Sequence, residues 1–283
     1  MTNPLYDRLF GRHAGAETPF MILPDERVIT HDAFLKMAAR TAHAMAALGL
    51  VPGDRLAVQI GKTPEALAVY AACAQAGVIF LPLNMAYTGA EIDYFVENSG
   101  AKLVLCDEKK RAGLTDVAQR NGARLETLNA DGSGSFTDLA RGLPEVYPTV
   151  ARSEDDLAAF LYTSGTTGRS KGAMLTQGNL LNNAEVLAAH WRFTNEDVLL
   201  HQLPIFHTHG LFVATNVCLV AGCAMRFYPG FDAEALIRDM PKATALMGVP
   251  TFYTRLLDDA RFTQDLTRGM RLFISGSAPL LAE

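Results

Sequence analysis

The sequence predicts an α/β protein built on mostly parallel sheets. Helical and strand signals alternate along almost the whole chain. Several strand segments are continuous apolar runs, the pattern of strands covered on both faces. And 283 residues, 49% of them hydrophobic and 19% charged, suffice for one large domain or two subdomains.

The elements follow in order. Thr30 is a good cap for a helix from His31 to about Leu48, with Phe34, Met37, Ala38, Ala42 and Met45 on its apolar side and Gly49 as its stop. RLAVQI reads as a strand. Pro64 suits the first position of an Ala-rich helix, and VIFLPL is the next strand. No charge lies between Glu65 and Glu91, but a buried helix feeding a buried strand explains this better than a membrane span. Thr88 and Glu91 have capping-box spacing before IDYFVENSG, a helix ended by Gly100. KLVLCD is a strand, residues around 110–120 a helix, and RLETL a strand. Residues 129–153 are rich in Gly, Pro and polar side chains, which places a boundary there: subdomains 1–150 and 151–283. The alternation then resumes. Strand DLAAFLYTS enters a Gly-rich loop, GAML is a short strand, and a helix capped near Thr176 runs to Trp191. Strands DVLLHQL, AMRFY, TALMGV and RLFIS alternate with a helix after the histidines, AEALIRDM and PTFYTRLLDD.

Composition excludes several function classes. The net charge is −5 with no basic tail, which argues against nucleic-acid binding as the main activity. Cys73, Cys106, Cys218 and Cys223 are scattered in apolar runs without a C-x-x-C pair, so they read as buried thiols in a reducing compartment, the cytoplasm. The first residues lack the apolar core of a signal peptide.

The chemistry concentrates in LYTSGTTGRSKGAML. Two glycines let successive N–H groups converge on an anion, hydroxyls from Thr163, Ser164, Thr166, Thr167 and Ser170 can donate to phosphate oxygens, and Lys171 adds a positive charge. The spacing is not that of a Walker loop. Gly165 and Gly168 are too close, Lys171 is followed by Gly172 instead of a hydroxyl, and a strand follows instead of a helix. A flap between two strands fits better; a plain solvated turn is the alternative. Three other stretches admit two readings each. Arg255 is the only charge between Lys242 and Asp258, suited to bidentate carboxylate binding or to snorkelling from a helix. His207 and His209 could share a metal, but no acidic or cysteine partner lies close, so packing or separate roles compete and no metal site is expected. SGSAPL ends a strand with small residues, which would admit a planar base or simply make a βα turn.

YTSGTTGRSKG is similar to the phosphate-binding signature of the adenylate-forming acyl- and aryl-CoA synthetases, and GDRLAVQI, PLN, LPIFHTHGL, GVPTFYTRLL and LFISGSAPL agree in order and spacing. The resemblance covers the chain from about residue 20, and HTHGLF, GVPTFYTRLL and RLFISGSAPLL look most like malonyl-CoA synthetases. It implies the N-terminal large domain of such an enzyme. The activity implied is joining of malonate to coenzyme A through an acyl-adenylate, with ATP and Mg²⁺. Methylmalonate or another short acid is the alternative substrate. Thr163, Ser164, Gly165, Thr166, Thr167, Gly168 and Lys171 would wrap the ATP phosphates. His207 would sit beside the reacting carboxylate and His209 in the acid pocket. Ser275, Gly276, Ser277, Ala278 and Pro279 would flank adenine and acid, and Arg255 would hold the distal carboxylate with Ser277 and His209. The family's Y-G-x-T-E stretch, its ribose-binding aspartate and its mobile C-terminal domain are not in the sequence. The expectation is therefore a truncated piece, inactive by itself. A non-catalytic nucleotide-binding module working with a partner chain, and a kinase releasing ADP, are the competing readings.

Overall fold

The structure is a computed structural model that describes residues 2–163 and 170–279. Its strands are β1 (Pro19–Ile22), β2 (Val28–Thr30), β3 (Arg55–Gln59), β4 (Ile79–Pro82), β5 (Leu103–Cys106), β6 (Arg124–Thr127), β7 (Leu157–Thr163), β8 (Lys171–Thr176), β9 (Val198–His201), β10 (Ala224–Phe227), β11 (Ala245–Gly248) and β12 (Leu272–Ser275). Its α-helices are α1 (Pro4–Leu9), α2 (His31–Ala47), α3 (Pro64–Ala76), α4 (Gly89–Ser99), α5 (Glu108–Arg120), α6 (Ser135–Ala140), α7 (Gln177–His190), α8 (Asn216–Ala221), α9 (Ala233–Asp239) and α10 (Pro250–Leu257).

Local chemistry sets the helix ends. Thr30 accepts from the N–H of Ala33 at the start of α2. Thr63 does the same for Ala66 in α3, which opens on Pro64 and ends at left-handed Gly77. Both halves of the Thr88–Glu91 capping box are formed, and α4 stops at left-handed Gly100. Because α3 is buried along nearly its whole length, the charge-free stretch is a core helix followed by the fully buried strand β4. No described helix is long and apolar enough to cross a membrane.

The chain divides into two compact units, Met1–Ala14 with Phe34–Asn182 and Gly15–Ala33 with Asn183–Glu283. The first carries a six-stranded sheet in the order β6-β5-β3-β4-β7-β8, parallel except for β8, which runs antiparallel to β7. The second carries β12-β11-β9-β10-β1-β2, parallel except for β2. Parallel α/β sheets are thus present in both. The division does not fall at 150/151, where the loop-rich composition placed it. β7 and β8 complete the first sheet, Phe80 of β4 pairing with Ala159, and β1 completes the second, Met21 pairing with Met225. The boundary instead passes inside α2 and α7. In the first unit Leu81, Ile92, Phe95 and Val104 anchor the core; in the second it is Leu200, Leu236, Met240 and Leu246.

Candidate functional site

In open parallel sheets, ligands bind outside the carboxyl ends of the strands, where successive connections diverge. In the second sheet β9 leads to β10 on one side and β11 leads to β12 on the other, so the divergence lies between β9 and β11. The residues leaving β9, β11 and β12 there are the ones the sequence singles out.

After β9 the chain turns through Gln202–Thr208 into a π-helix over His209–Thr215, then into α8. Short π segments recur at functional positions because they displace side chains from α-helical spacing. This one is locked from below. The buried His201 at the end of β9 lies 2.9 Å from the Gly210 carbonyl, so its Nε2 carries the proton and donates. Thr215 Oγ1 donates to the same carbonyl at 3.0 Å. Gly210 has no alternative residue, since a Cβ would collide with the Pro204 carbonyl.

His209, at the head of the π-helix, meets the end of β12. Ser277 Oγ is 3.3 Å from its Nδ1, and the hydroxyl donates when the ring proton is on Nε2. Ser277 is left-handed at φ 69°, and Gly276 leaves room for the ring: a Cβ would stand 2.9 Å from His209 Cε1. The Gly276 N–H donates to the Gly248 carbonyl at 3.1 Å, tying β12 to β11. Burial lowers the pKa of both His207 and His209 from the ordinary imidazole value, which favours the neutral rings at pH 7.

Arg255 lies on α10, which begins just beyond β11. Its Cζ is 5.3 Å from the centroid of the Phe231 ring, and among the described residues it makes no hydrogen bond or ion pair. Ser275 Oγ is buried without a hydrogen-bond partner among the described residues. Ser275 and Pro279 line a cavity of about 740 Å³ with Tyr253, Phe262 and Phe273. Ala278 and Pro279 are exposed.

The phosphate loop belongs to the first unit. Thr163 ends β7 and Lys171 opens β8, paired directly across the hairpin, with both residues exposed. Tyr94 donates to the Ser170 carbonyl at 3.0 Å. Ser164, Gly165, Thr166, Thr167 and Gly168 lie outside the described residues. The structure therefore joins His209, Gly276 and Ser277 directly. Among the described residues His207, Arg255, Ala278 and Pro279 make no side-chain hydrogen bond to that trio. No group of His, Cys, Asp and Glu fit to hold a metal occurs among the described residues. Sequence reasoning missed His201, Gln202 and Gly210; the one visible signal was two polar residues closing the apolar strand DVLLHQL.

Known proteins share this chain's pattern. The chain is 51% identical to MatB of Rhodopseudomonas palustris, solved with ATP bound, over 100% of this chain and 56% of that one, with a TM-score of 0.97. It is 34% identical to the mitochondrial malonate–CoA ligase of Mus musculus, over 72% of this chain and 37% of that protein. It is 29% identical to a feruloyl-CoA synthase of Amycolatopsis, over 90% and 50% respectively. The chain spans half or less of the length of these curated relatives. The AMP-binding enzyme family matches residues 11–283, nearly the whole sequence, and the chain belongs to that family.

Proposed function

We propose that this chain serves an ATP-dependent malonate–CoA ligase, converting malonate, ATP and coenzyme A to malonyl-CoA, AMP and pyrophosphate. The observation that carries the choice of acid is Arg255, an arginine on a strand-end helix with no carboxylate of the described protein paired to it. A planar guanidinium in that state suits the second carboxylate of a dicarboxylic acid. The likeness to a malonate–CoA ligase supports the same acid, and the likeness to ATP-bound MatB supports the nucleotide. A feruloyl-CoA synthase relative offers an aromatic monocarboxylate as the second reading. That acid would leave Arg255 unused.

In the first step an oxygen of one malonate carboxylate attacks the α-phosphorus of ATP. An O–P bond forms, the bond to the β-phosphate oxygen breaks, and pyrophosphate leaves. In the second step the CoA sulfur attacks the acyl carbon, AMP leaves, and the thiol proton is released. The protein's part is positioning and charge. Lys171 and the 163–168 loop would take the β- and γ-phosphates, with Mg²⁺ arriving as part of the nucleotide substrate. Neutral His207 and His209 can hydrogen-bond the acid without neutralising the attacking carboxylate. Ser277, held by His209, would orient that acid, and Ser275, Ala278 and Pro279 would flank the adenine. The four thiols, all buried and none in a disulfide, support a reducing compartment such as the cytoplasm.

The test is malonate-dependent release of AMP and pyrophosphate by the protein that carries this chain. Malonate, methylmalonate, acetate and ferulate are compared at equal concentration. AMP formation strongest with malonate is the expected result. ADP as product, or ferulate as the preferred acid, overturns the assignment.

A further inference from the structure

We propose that Phe231 is a specificity-determining positioning residue, which holds the Arg255 guanidinium unpaired and oriented so that the site selects a dicarboxylic over a monocarboxylic acid. The inference rests on the reading of Arg255 as the distal carboxylate ligand.

The argument starts at the end of β9. Gln202 is almost fully buried and grips the backbone of Asp232 from both sides. Its Nε2 donates to the Asp232 carbonyl at 3.0 Å, and its Oε1 accepts from the Asp232 N–H at 2.8 Å. Asp232 is also the cap of α9, its side chain accepting from Ala235. Phe231 is therefore anchored through its chain neighbour to the strand whose end opens the candidate site.

The ring of Phe231 is fixed from a second direction. It packs on Phe252 with centroids 4.3 Å apart, and Phe252 in turn lies against Gly248 at the end of β11, where a Cβ would stand 3.1 Å from Phe252 Cδ2. A glycine at 248 thus lets Phe252 settle onto the strand end, and Phe252 sets the tilt of Phe231. Arg255 also lies over the Phe231 ring, with Cζ 5.3 Å from the ring centroid.

An aromatic face attracts a guanidinium but accepts none of its N–H groups as a carboxylate would. Stacking thus restrains the plane of Arg255 while its edge stays available for a bidentate partner. A helix arginine without such a platform would spend its rotamer freedom on binding, which weakens affinity. Gln202, Phe231 and Phe252 together act as a pre-organising support. Phe231 itself touches no reacting atom.

The experiment measures calorimetric binding of malonate and of propionate, each in the presence of the α,β-methylene analogue of ATP, from which pyrophosphate cannot leave. It compares the chain with Phe231→Leu, Phe231→Met, Phe231→Tyr and Arg255→Ala, with melting temperature as the check on folding. Phe231→Leu should weaken malonate about 3- to 30-fold. Propionate should be unchanged, and Phe231→Tyr, which keeps the ring face, should bind malonate like the original. Phe231→Met answers the same question should the leucine variant not fold. If Arg255→Ala lowers malonate affinity while both Phe231→Leu and Phe231→Met match the original, the positioning role is wrong and the dicarboxylate reading stands. If Arg255→Ala leaves malonate binding untouched, or the original chain binds no malonate, the dicarboxylate reading falls and this inference with it. Equal loss of malonate and propionate on changing Phe231 reduces the residue to packing and also overturns the proposal.

Discussion

The four adjacent parallel strands β6-β5-β3-β4 and β12-β11-β9-β10 follow the same order in the two sheets, each extended by an antiparallel edge hairpin, and each sheet is plain where the other carries the candidate site residues. In the first, the leading strand β3 hands over to α3 through an ordinary cap, Thr63 followed by Pro64. In the second, the leading strand β9 hands over to a turn bearing His207 and a π-helix headed by His209. The antiparallel edge hairpins reverse the contrast. β7 and β8 flank the hydroxyl-rich loop, and nothing described pairs with the Lys171 side chain. The β1–β2 turn is locked: Glu26, left-handed at φ 62°, forms two 3.0 Å hydrogen bonds with Arg226. Arg226 also lies 3.4 Å from Asp239, which is wholly buried and accepts from Tyr228 and Arg238. On the proposed function, one topology holds chemistry in a strand-to-helix connection in one sheet and in an edge hairpin in the other, and the unused position becomes scaffold.

The sharpest way to break this contrast is at the π-helix. Gly210→Ala forces a methyl into the Pro204 carbonyl, and the turn has no flexible side chain to yield. We expect a loss of at least about 3 kcal/mol, or roughly 6–12 °C in melting temperature, with collapse of acid binding. An alanine variant melting with the original would show that the π register is not obligatory.

Asp239→Asn attacks the locked hairpin. It takes one of the two carboxylates from the buried Arg226 and leaves it Glu26, an expected cost of about 2–3 kcal/mol by urea unfolding at pH 7. The pH dependence has a definite sign. Arg238 and Tyr228 hold the Asp239 pKa down at about 2, against burial that would raise it. A depressed folded-state pKa stabilises above the unfolded value near 3.8 and is lost as pH falls through about 2. The difference between the two proteins should therefore shrink between pH 4 and pH 2. A difference that stayed constant over that window would remove the carboxylate from the account.

The smallest expected effect on stability is at the open hairpin. Lys171→Ala should move stability by less than about 0.5 kcal/mol, because the side chain is exposed and has no partner among the described residues. The same change should weaken ATP about 10- to 100-fold in direct titration. Unaltered ATP affinity would make β7–β8 as functionally plain as β1–β2.

Local signals were legible in the sequence, and long-range pairing was not. The Thr88–Glu91 box, the Pro64 helix start and the Gly100 stop are fixed by neighbours within a few residues, and all three form. The boundary at 150/151 followed composition, but sheet membership follows pairing. β1 joins β10 across some two hundred residues, and three-residue β2 has no periodicity to detect. In the candidate site, only the family resemblance brings HTHG and SGSAP together; residue spacing does not, because the His209–Ser277 contact spans 68 positions and needs the sheet to exist. The π-helix was invisible because HGLFVAT has ordinary helical composition, and its register depends on His201 below it.

The pairing of Met21 with Met225 also sets a schedule. The β1–β2 hairpin is made some two hundred residues before β10, yet its place in the second sheet exists only once β10 is there. At about 5–20 residues per second this is a wait on the order of 10–40 s. During it the parallel edge of β1, with Phe20 and Met21 destined for the core, is a liability. The first sheet has no such gap, since each of its strands joins partners already made or about to follow. In newly made chains the first sheet should therefore order ahead of the second, and the β1–β2 hairpin should wait longest between its synthesis and its placement.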